Sequence, residues 1–448
     1  MELDMTKGSP TRLITRFIIP IIIGNIFQQF YNMVDTVIVG RFIGIKALAA
    51  VGATGTIMFL ILGFMQGLTT GFTVLTAQRY GASDYKAMKK SVGNAAILSI
   101  IITIVATIIS VMGMDTLLRI MHTPDDIFDM AKEYIVIICL GMGCNILYNL
   151  LASILRAIGN SKIPLYFLIV SAILNIFLDI YLIVYVHMGV AGAAWATVIS
   201  QGISGILCLF YIIWKIEILH TKKEDFKLDY DCVRNQLSIG LPMALQFSIT
   251  AIGTILVQSA LNMLGSTIVA AYTAAGKVEQ LVTQPYVALG MTMATYSAQN
   301  RGIGDVHRIK SGVKTANLLN IIYSLIIGFV IVKTMPYVVP LFVSGDVSSI
   351  LNYAQTYIMV VSIFFIPLGM IFIYRNVLQG SGMSVLPMLG GVVELLSRSI
   401  LAFAAAQYKS YLGVCMANAA AWLTAGVFLW IAYLFVVKKW KEQGLFEK

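Results

Sequence analysis

Ala77–Asp84 reads AQRYGASD, and half a chain later Ala298–Asp305 reads AQNRGIGD, with Ala, Gln, Gly and Asp in the same places. Each stretch follows one long apolar run and precedes another, so the pair marks the same turn in two copies of one unit. Three further correspondences keep the register. Leu155–Pro164 (LRAIGNSKIP) matches Leu378–Pro387 (LQGSGMSVLP), Pro20 matches Pro242, and GVAGAAWA from Gly189 matches GVCMANAA from Gly413. Four matches in the same order imply a duplication.

The apolar runs around these motifs decide what is duplicated. Hydrophobic residues make up 58% of the chain and charged residues 12%. Runs longer than about 18 residues recur throughout, each able to cross roughly 30 Å of hydrocarbon. We read twelve, from Phe17–Gly40 to Gly413–Val437, with Ala131–Ser153 fourth, Leu281–Gln299 eighth and Tyr353–Tyr374 tenth. Continuous apolarity and the need to satisfy every backbone amide inside lipid make them helices. The expected fold is therefore an all-α polytopic membrane protein of twelve transmembrane helices. Six per copy is an even number, so the copies keep one orientation and form two six-helix bundles related by a pseudo-two-fold axis along the membrane normal. The expected layout is an N-terminal bundle over 1–215, a charged linker over 216–236, a C-terminal bundle over 237–437 and a basic tail over 438–448.

Cations gather on one side. Lys86, Lys89, Lys90, Lys222, Lys223, Lys227, Arg301, Arg308, Arg375, Lys438, Lys439, Lys441 and Lys448 fall with the termini, against Arg41, Lys46, Arg119, Lys132, Lys277, Lys333 and Lys409 opposite. By the positive-inside rule both termini are cytoplasmic. The net charge of +10 then calls for anionic membrane lipid, and for no nucleic acid. The five cysteines lie mostly in spans and show no disulfide or thiolate-metal spacing. His122, His187, His220 and His307 all fall in loops. There is no P-loop, HExxH or GxSxG, so neither an enzyme nor an ATP-driven pump is indicated, and no cofactor is expected.

Ionisable residues inside spans are costly in hydrocarbon and are functional candidates by default. Asp35 lies among Val34, Val37, Ile38 and Val39 with no cation within a turn, and Asp179 lies at a similar depth in the fifth span. Gln28, Asn32 and Asp35 stand at i, i+4 and i+7 on one helix face, and Asn175 with Asp179, and Asn145 with Asn149, at i, i+4. Thr197 lies two turns below the outer end of the sixth span. Two carboxylates in one dehydrated pocket resist joint ionisation, so they hold a proton or welcome a cation. The bland alternative is neutral, hydrogen-bonded acids and amides that tie helices together. In the second copy Val257, Ala402 or Phe403, and Ala421 replace Asp35, Asp179 and Thr197. Its charges are Glu394 and Arg398, read as a structural i, i+4 pair, and Glu279, read as interfacial.

The paired AQxxGxxD loops, the LRxxGxxxxP turn and the NxxxD of Asn175–Asp179 resemble the multidrug and toxic compound extrusion (MATE) transporters, in particular their DinF-like bacterial branch, over essentially the whole chain. The resemblance implies a secondary-active antiporter in the inner membrane of a bacterium. It would export an organic compound, cationic or amphipathic, in exchange for H⁺ or Na⁺, by rocking of two bundles around a central cavity. It also implies that Asp35, Asp179, Asn175 and Thr197 form a cation-coupling cluster and that Gln28 faces the substrate cavity; helix-face spacing adds Asn149 to the expected cluster and Asn32 and Asn145 to the expected cavity lining. No metal is expected beyond Na⁺ at Asp35 and Asp179. The expected partners are a small-molecule substrate and membrane lipid, and the chain is expected to act as a monomer. The competing reading within the same superfamily is a flippase for a lipid-linked sugar, which would line its cavity with several Arg or Lys for pyrophosphate.

Overall fold

The computed structural model describes residues 3–121, 123–338 and 347–443; His122 and the end of the basic tail, 444–448, lie outside them. The described residues form helices α1 (Pro10–Phe42), α2 (Ile45–Gly81), α3 (Tyr85–Ile120), α4 (Asp125–Leu140), α5 (Met142–Ala157), α6 (Lys162–Ile180) and α7 (Gly189–Lys215). The same order then repeats as α8 (Tyr230–Asn262), α9 (Ser266–Gly302), α10 (Val306–Val338), α11 (Val347–Ile363), α12 (Phe365–Gly380), α13 (Val385–Gln407) and α14 (Tyr411–Glu442). Nine of these helices are individually long and apolar enough to cross a membrane, and the bent pairs α4–α5 and α11–α12 each make one more crossing. Helix α9 supplies the twelfth, its apolarity diluted by Lys277, Glu279, Gln280 and Gln284.

The two broken spans differ from the single helices expected over Ala131–Ser153 and Tyr353–Tyr374. The chain bends by 47° between α4 and α5 and by 52° between α11 and α12. Gly141, a weak helix former, occupies the first break, where a Cβ would fall 2.2 Å from Val198 Cγ2. At the second, Pro367 cannot donate to the preceding turn, and in an unbroken helix its ring would collide with the carbonyl four residues back.

The repeated motifs are the turns of this architecture. Asp84 caps α3 by accepting from the Ala87 amide at 3.0 Å, and Asp305 caps α10 by accepting from the Arg308 amide at 2.9 Å. Gly159 and Gly382 hold φ of +86° and +84° in the two LxxxG turns. Large apolar side chains point outward along α3 (Ile100, Ile104, Ile108, Met112) and α10 (Leu318, Leu325, Phe329), as a lipid-facing surface requires.

Internal packing divides the chain into one unit of Met1–Asp4 with Ile19–Ala244 and a second of Met5–Ile18 with Leu245–Lys448. The first half of α8 therefore belongs with the first unit. It crosses α2 so closely that a Cβ on Gly71 would lie 2.4 Å from Gly240 Cα. Gln236 Nε2 also donates to the Ser91 carbonyl at 2.8 Å. The charged segment between α7 and α8 is pinned to α3: Asn94 Nδ2 donates to the Lys227 carbonyl at 3.2 Å, and its Oδ1 accepts from the Asp229 amide at 2.9 Å. In the second unit Arg308 donates to the carbonyls of Met5 and Gly8, both at 3.0 Å, and so fixes the segment before α1.

Candidate functional site

Within the first unit, α1 and α6 bring Asp35 and Asp179 close enough for their charges to interact, with no hydrogen bond between them. Asp179 is fully buried, Asn175 one turn earlier is 1% exposed, and Asp35 is partly buried. Asp179 Oδ1 and Oδ2, Asp35 Oδ1 and Asn175 Oδ1 are all buried and have no hydrogen-bond donor. Asn175 Nδ2 meets Thr197 Oγ1 on α7 at 3.4 Å, and that hydroxyl donates to the Ala193 carbonyl at 3.1 Å. Immediately after Asp179 the helix loosens into a π-helical turn, Tyr181–Tyr185, a distortion frequent at functional sites.

A polar chain continues from this cluster. Asn149 Nδ2 donates to Asn145 Oδ1 at 2.9 Å, Asn145 Nδ2 donates to Gln201 Oε1 at 2.6 Å, and Gln201 lies near Tyr31. Tyr31 is one turn from Asp35, and the buried Tyr134 of α4 lies within electrostatic reach of both acids. Sequence reasoning missed Tyr31, Tyr134 and Gln201. Signals for two of them existed: Tyr31 shares an i, i+4 stripe with Asp35, and Gln201 shares one with Thr197. Gln28 and Asn32 are not brought to the acids; their side chains are exposed.

The arrangement is a set of oxygen acceptors short of donors. A buried carboxylate without a donor is costly unless it is protonated or compensated by positive charge. Carboxylate and amide oxygens suit a hard cation such as Na⁺, and two adjacent carboxylates equally suit one shared proton. Among the described residues no group of His, Cys, Asp and Glu has the spacing of a transition-metal centre.

The matching place in the second unit is apolar. Val257 lies as far past Pro242 as Asp35 lies past Pro20, and Ala402 as far past Pro387 as Asp179 past Pro164; both are buried in one hydrophobic cluster. Arg398 holds the register position of Asn175. It donates through Nη2 to Glu394 Oε1 at 2.7 Å, and Glu394 Oε2 accepts from Arg375 Nη2 at 3.1 Å. Arg375 was expected among the cytoplasmic cations but is a nearly buried member of α12, because that helix continues to Gly380. Glu279, expected at the interface, instead turns into the interior of this unit and accepts from the hydroxyl of Tyr357.

Comparison with known proteins agrees with this architecture. The MatE family model matches residues 20–181 and 242–404, one segment in each half. YoeA of Bacillus subtilis (strain 168), named a probable multidrug resistance protein, is 27% identical over 444 residues, 97% of this chain and 96% of its own. DNA damage-inducible protein F of Escherichia coli (strain K12) is 31% identical over 186 residues, 41% of this chain and 40% of its own. The solved structure of a MOP superfamily transporter from Pyrococcus furiosus, described as having a binding pocket of reverse polarity, superposes with a TM-score of 0.92 at 22% identity, covering 98% of both chains. Such a match shows a shared fold. With the family's two segments matched and the same six-crossing order repeated in each half, the chain belongs to the MatE family of multidrug and toxic compound extrusion transporters.

Proposed function

We propose that the protein is a secondary-active antiporter of a bacterial inner membrane. It exports organic compounds, cationic or amphipathic, in exchange for H⁺ or Na⁺ entering from outside, with both termini cytoplasmic as the cation distribution implies. The observation that carries this reading is the Asp35–Asp179 pair, in which Asp179 is completely buried with neither oxygen given a donor. Buried acids in a membrane helix that nothing neutralises are binding groups for a positive charge that comes and goes. Asn175 and Thr197 supply further oxygens to the same place, and the Asn149–Asn145–Gln201 chain ties α5 to α7 beside it.

The test is transport into inside-out vesicles with a fluorescent organic cation such as ethidium. Uptake should follow an imposed pH gradient or an imposed Na⁺ gradient and be abolished in Asp35→Asn, which keeps the size of the side chain and removes its charge. Gradient-driven uptake at the wild-type rate in Asp35→Asn would overturn the coupling role.

A further inference from the structure

The second unit holds a partly open cavity of about 350 Å³ whose lining carries charge, although the sequence register makes this the apolar copy. Arg375 and Arg398 line it and share the single carboxylate of Glu394. Three charges joined this way keep one net positive charge. The two guanidiniums differ in how far they are satisfied. Gln246, with its amide oxygen turned to Arg375, accepts from Nε at 3.1 Å and Nη1 at 3.2 Å, so Arg375 is used up by its surroundings. Arg398 is 94% buried, yet its Nε has no acceptor. The same cavity is lined by Glu279, tied to the Tyr357 hydroxyl, and by Asn418, whose Nδ2 donates to the hydroxyls of Tyr357 and Tyr272 at 3.0 and 2.8 Å. Among the described residues no ion pair joins Glu279 to Arg398. Leu368, Phe372 and Trp422 add apolar surface to the lining.

We propose that this cavity binds a small organic anion, with a carboxylate or phosphate anchored on Arg398 and an apolar body against Phe372 and Trp422. A planar guanidinium with a free donor in a low-dielectric pocket forms charge-assisted, bidentate hydrogen bonds to such oxygens, and these are the strong members of the hydrogen-bond class. The net positive charge of the Arg375–Glu394–Arg398 triad supplies the attraction. Glu279, in the same lining, opposes it, so this acid weakens the site that Arg398 creates. The site lies wholly within the second unit and uses none of the residues of the Asp35–Asp179 cluster. It therefore stands or falls independently of the antiport reading.

The experiment is an equilibrium titration of the full chain in nanodiscs with 4-fluorobenzoate and phenyl phosphate, followed by ¹⁹F and ³¹P NMR, with 4-fluorobenzamide as the uncharged control. Both anions should bind saturably and the amide should not. Preference for one anion over the other distinguishes a carboxylate from a phosphate ligand. Arg398→Met should weaken binding about tenfold or more, while Glu394 keeps Arg375 as its partner. Glu279→Gln should tighten it, because it removes a like charge and keeps the Tyr357 hydrogen bond. If Arg398→Met does not fold, the Glu279→Gln arm decides alone. Absence of saturable anion binding, equal binding of the amide, wild-type affinity in Arg398→Met, or unchanged or weaker binding in Glu279→Gln would overturn the proposal.

Discussion

Asp35 of α1 and Asp179 of α6 lie close enough to feel each other's charge, yet among the described residues no ion pair involves either, and the oxygens of Asp179 have no hydrogen-bond partner at all. Their proximity makes them one binding unit. If they act together, removing either charge removes the function of both. In the gradient-driven assay Asp179→Asn should therefore match Asp35→Asn, and the double variant should be no worse than the more severe single one. Losses that add in free energy would mean two independent sites.

Gln201 is the junction between the acid cluster and the amide chain. Replacing it with Met leaves the Asn145 amide nitrogen without its 2.6 Å acceptor. An unsatisfied buried polar group costs about 1–3 kcal/mol, and this part-buried one sits at the low end. The expected outcome is a lower melting temperature in detergent together with weakened coupling, since Gln201 lies near Tyr31, one turn from Asp35. A Gln201→Met protein that melts and transports as the wild type does would remove the junction from both roles.

The triad in the second unit gives an asymmetric expectation. Glu394 is the only carboxylate bridging Arg375 and Arg398 among the described residues, so Glu394→Gln leaves two buried guanidiniums without their counter-charge. Stranding a buried charge typically costs about 3–5 kcal/mol. Arg398→Met leaves Glu394 paired with Arg375 and should cost clearly less, and Glu394→Gln combined with Arg398→Met should recover part of the loss. Thermal melts of the three proteins check the order. Equal destabilisation by Glu394→Gln and Arg398→Met would show that Arg375 contributes nothing.

The segment joining the halves is predicted to be ordered at neutral pH and to loosen in acid. Lys90 Nζ donates to Asp229 Oδ2 at 2.7 Å, and this ammonium, with the Cys232 amide, holds the Asp229 carboxyl below the usual carboxylate range. A carboxyl depressed on folding stabilises the folded form above its unfolded pKa, and that contribution disappears as pH falls through the lowered folded value. Both groups are solvent-accessible, so the effect is local. Hydrogen exchange over residues 222–230 should quicken as pH drops through that range once corrected for intrinsic rates, and Asn94→Ala should quicken it at every pH by releasing Lys227 and Asp229.

Much of this was legible in the sequence because it rests on long-range apolarity and on turns with fixed chemistry. Continuous apolar runs can only be membrane helices, and the Asp84 and Asp305 caps and the Gly159 and Gly382 turns repeat as printed words. Side-chain rotation about a helix axis was less legible. Gln28, Asn32 and Asp35 fit one stripe by spacing, yet α1 leaves Gln28 and Asn32 exposed while Tyr31 and Asp35 are partly buried, a rotation that spacing alone does not fix. Arg375 was illegible for a related reason. Charge at the end of an apolar run looks cytoplasmic unless the helix is known to continue and Glu394, on another helix, is known to wait for it.

The last prediction concerns how an ion bound at α1 and α6 is felt by cargo. Asp35 shares its helix with Pro20, which removes a backbone donor and permits a bend, and Asp179 is followed at once by the π-helical turn Tyr181–Tyr185. Both acids thus sit on helices whose hydrogen-bond ladders are already interrupted. The matching helix α8 has Pro242 but carries Val257 where α1 carries Asp35, so α1 is the one expected to change shape when the pair is neutralised. If that change alters cargo affinity by some factor, cargo must alter cation affinity by the same factor. Cargo affinity measured from pH 5 to 9, with and without Na⁺, should therefore fall as the cation site fills. A single cysteine at Gln28 or Asn32, both exposed on α1, should change its rate of thiol labelling over the same range in a background lacking the five native cysteines. The Asp35→Asn, Asp179→Asn protein should show neither dependence. Affinity and labelling indifferent to both ions in the wild type would sink the antiport reading, and a dependence that survives in the double variant would move the coupling site off these two acids.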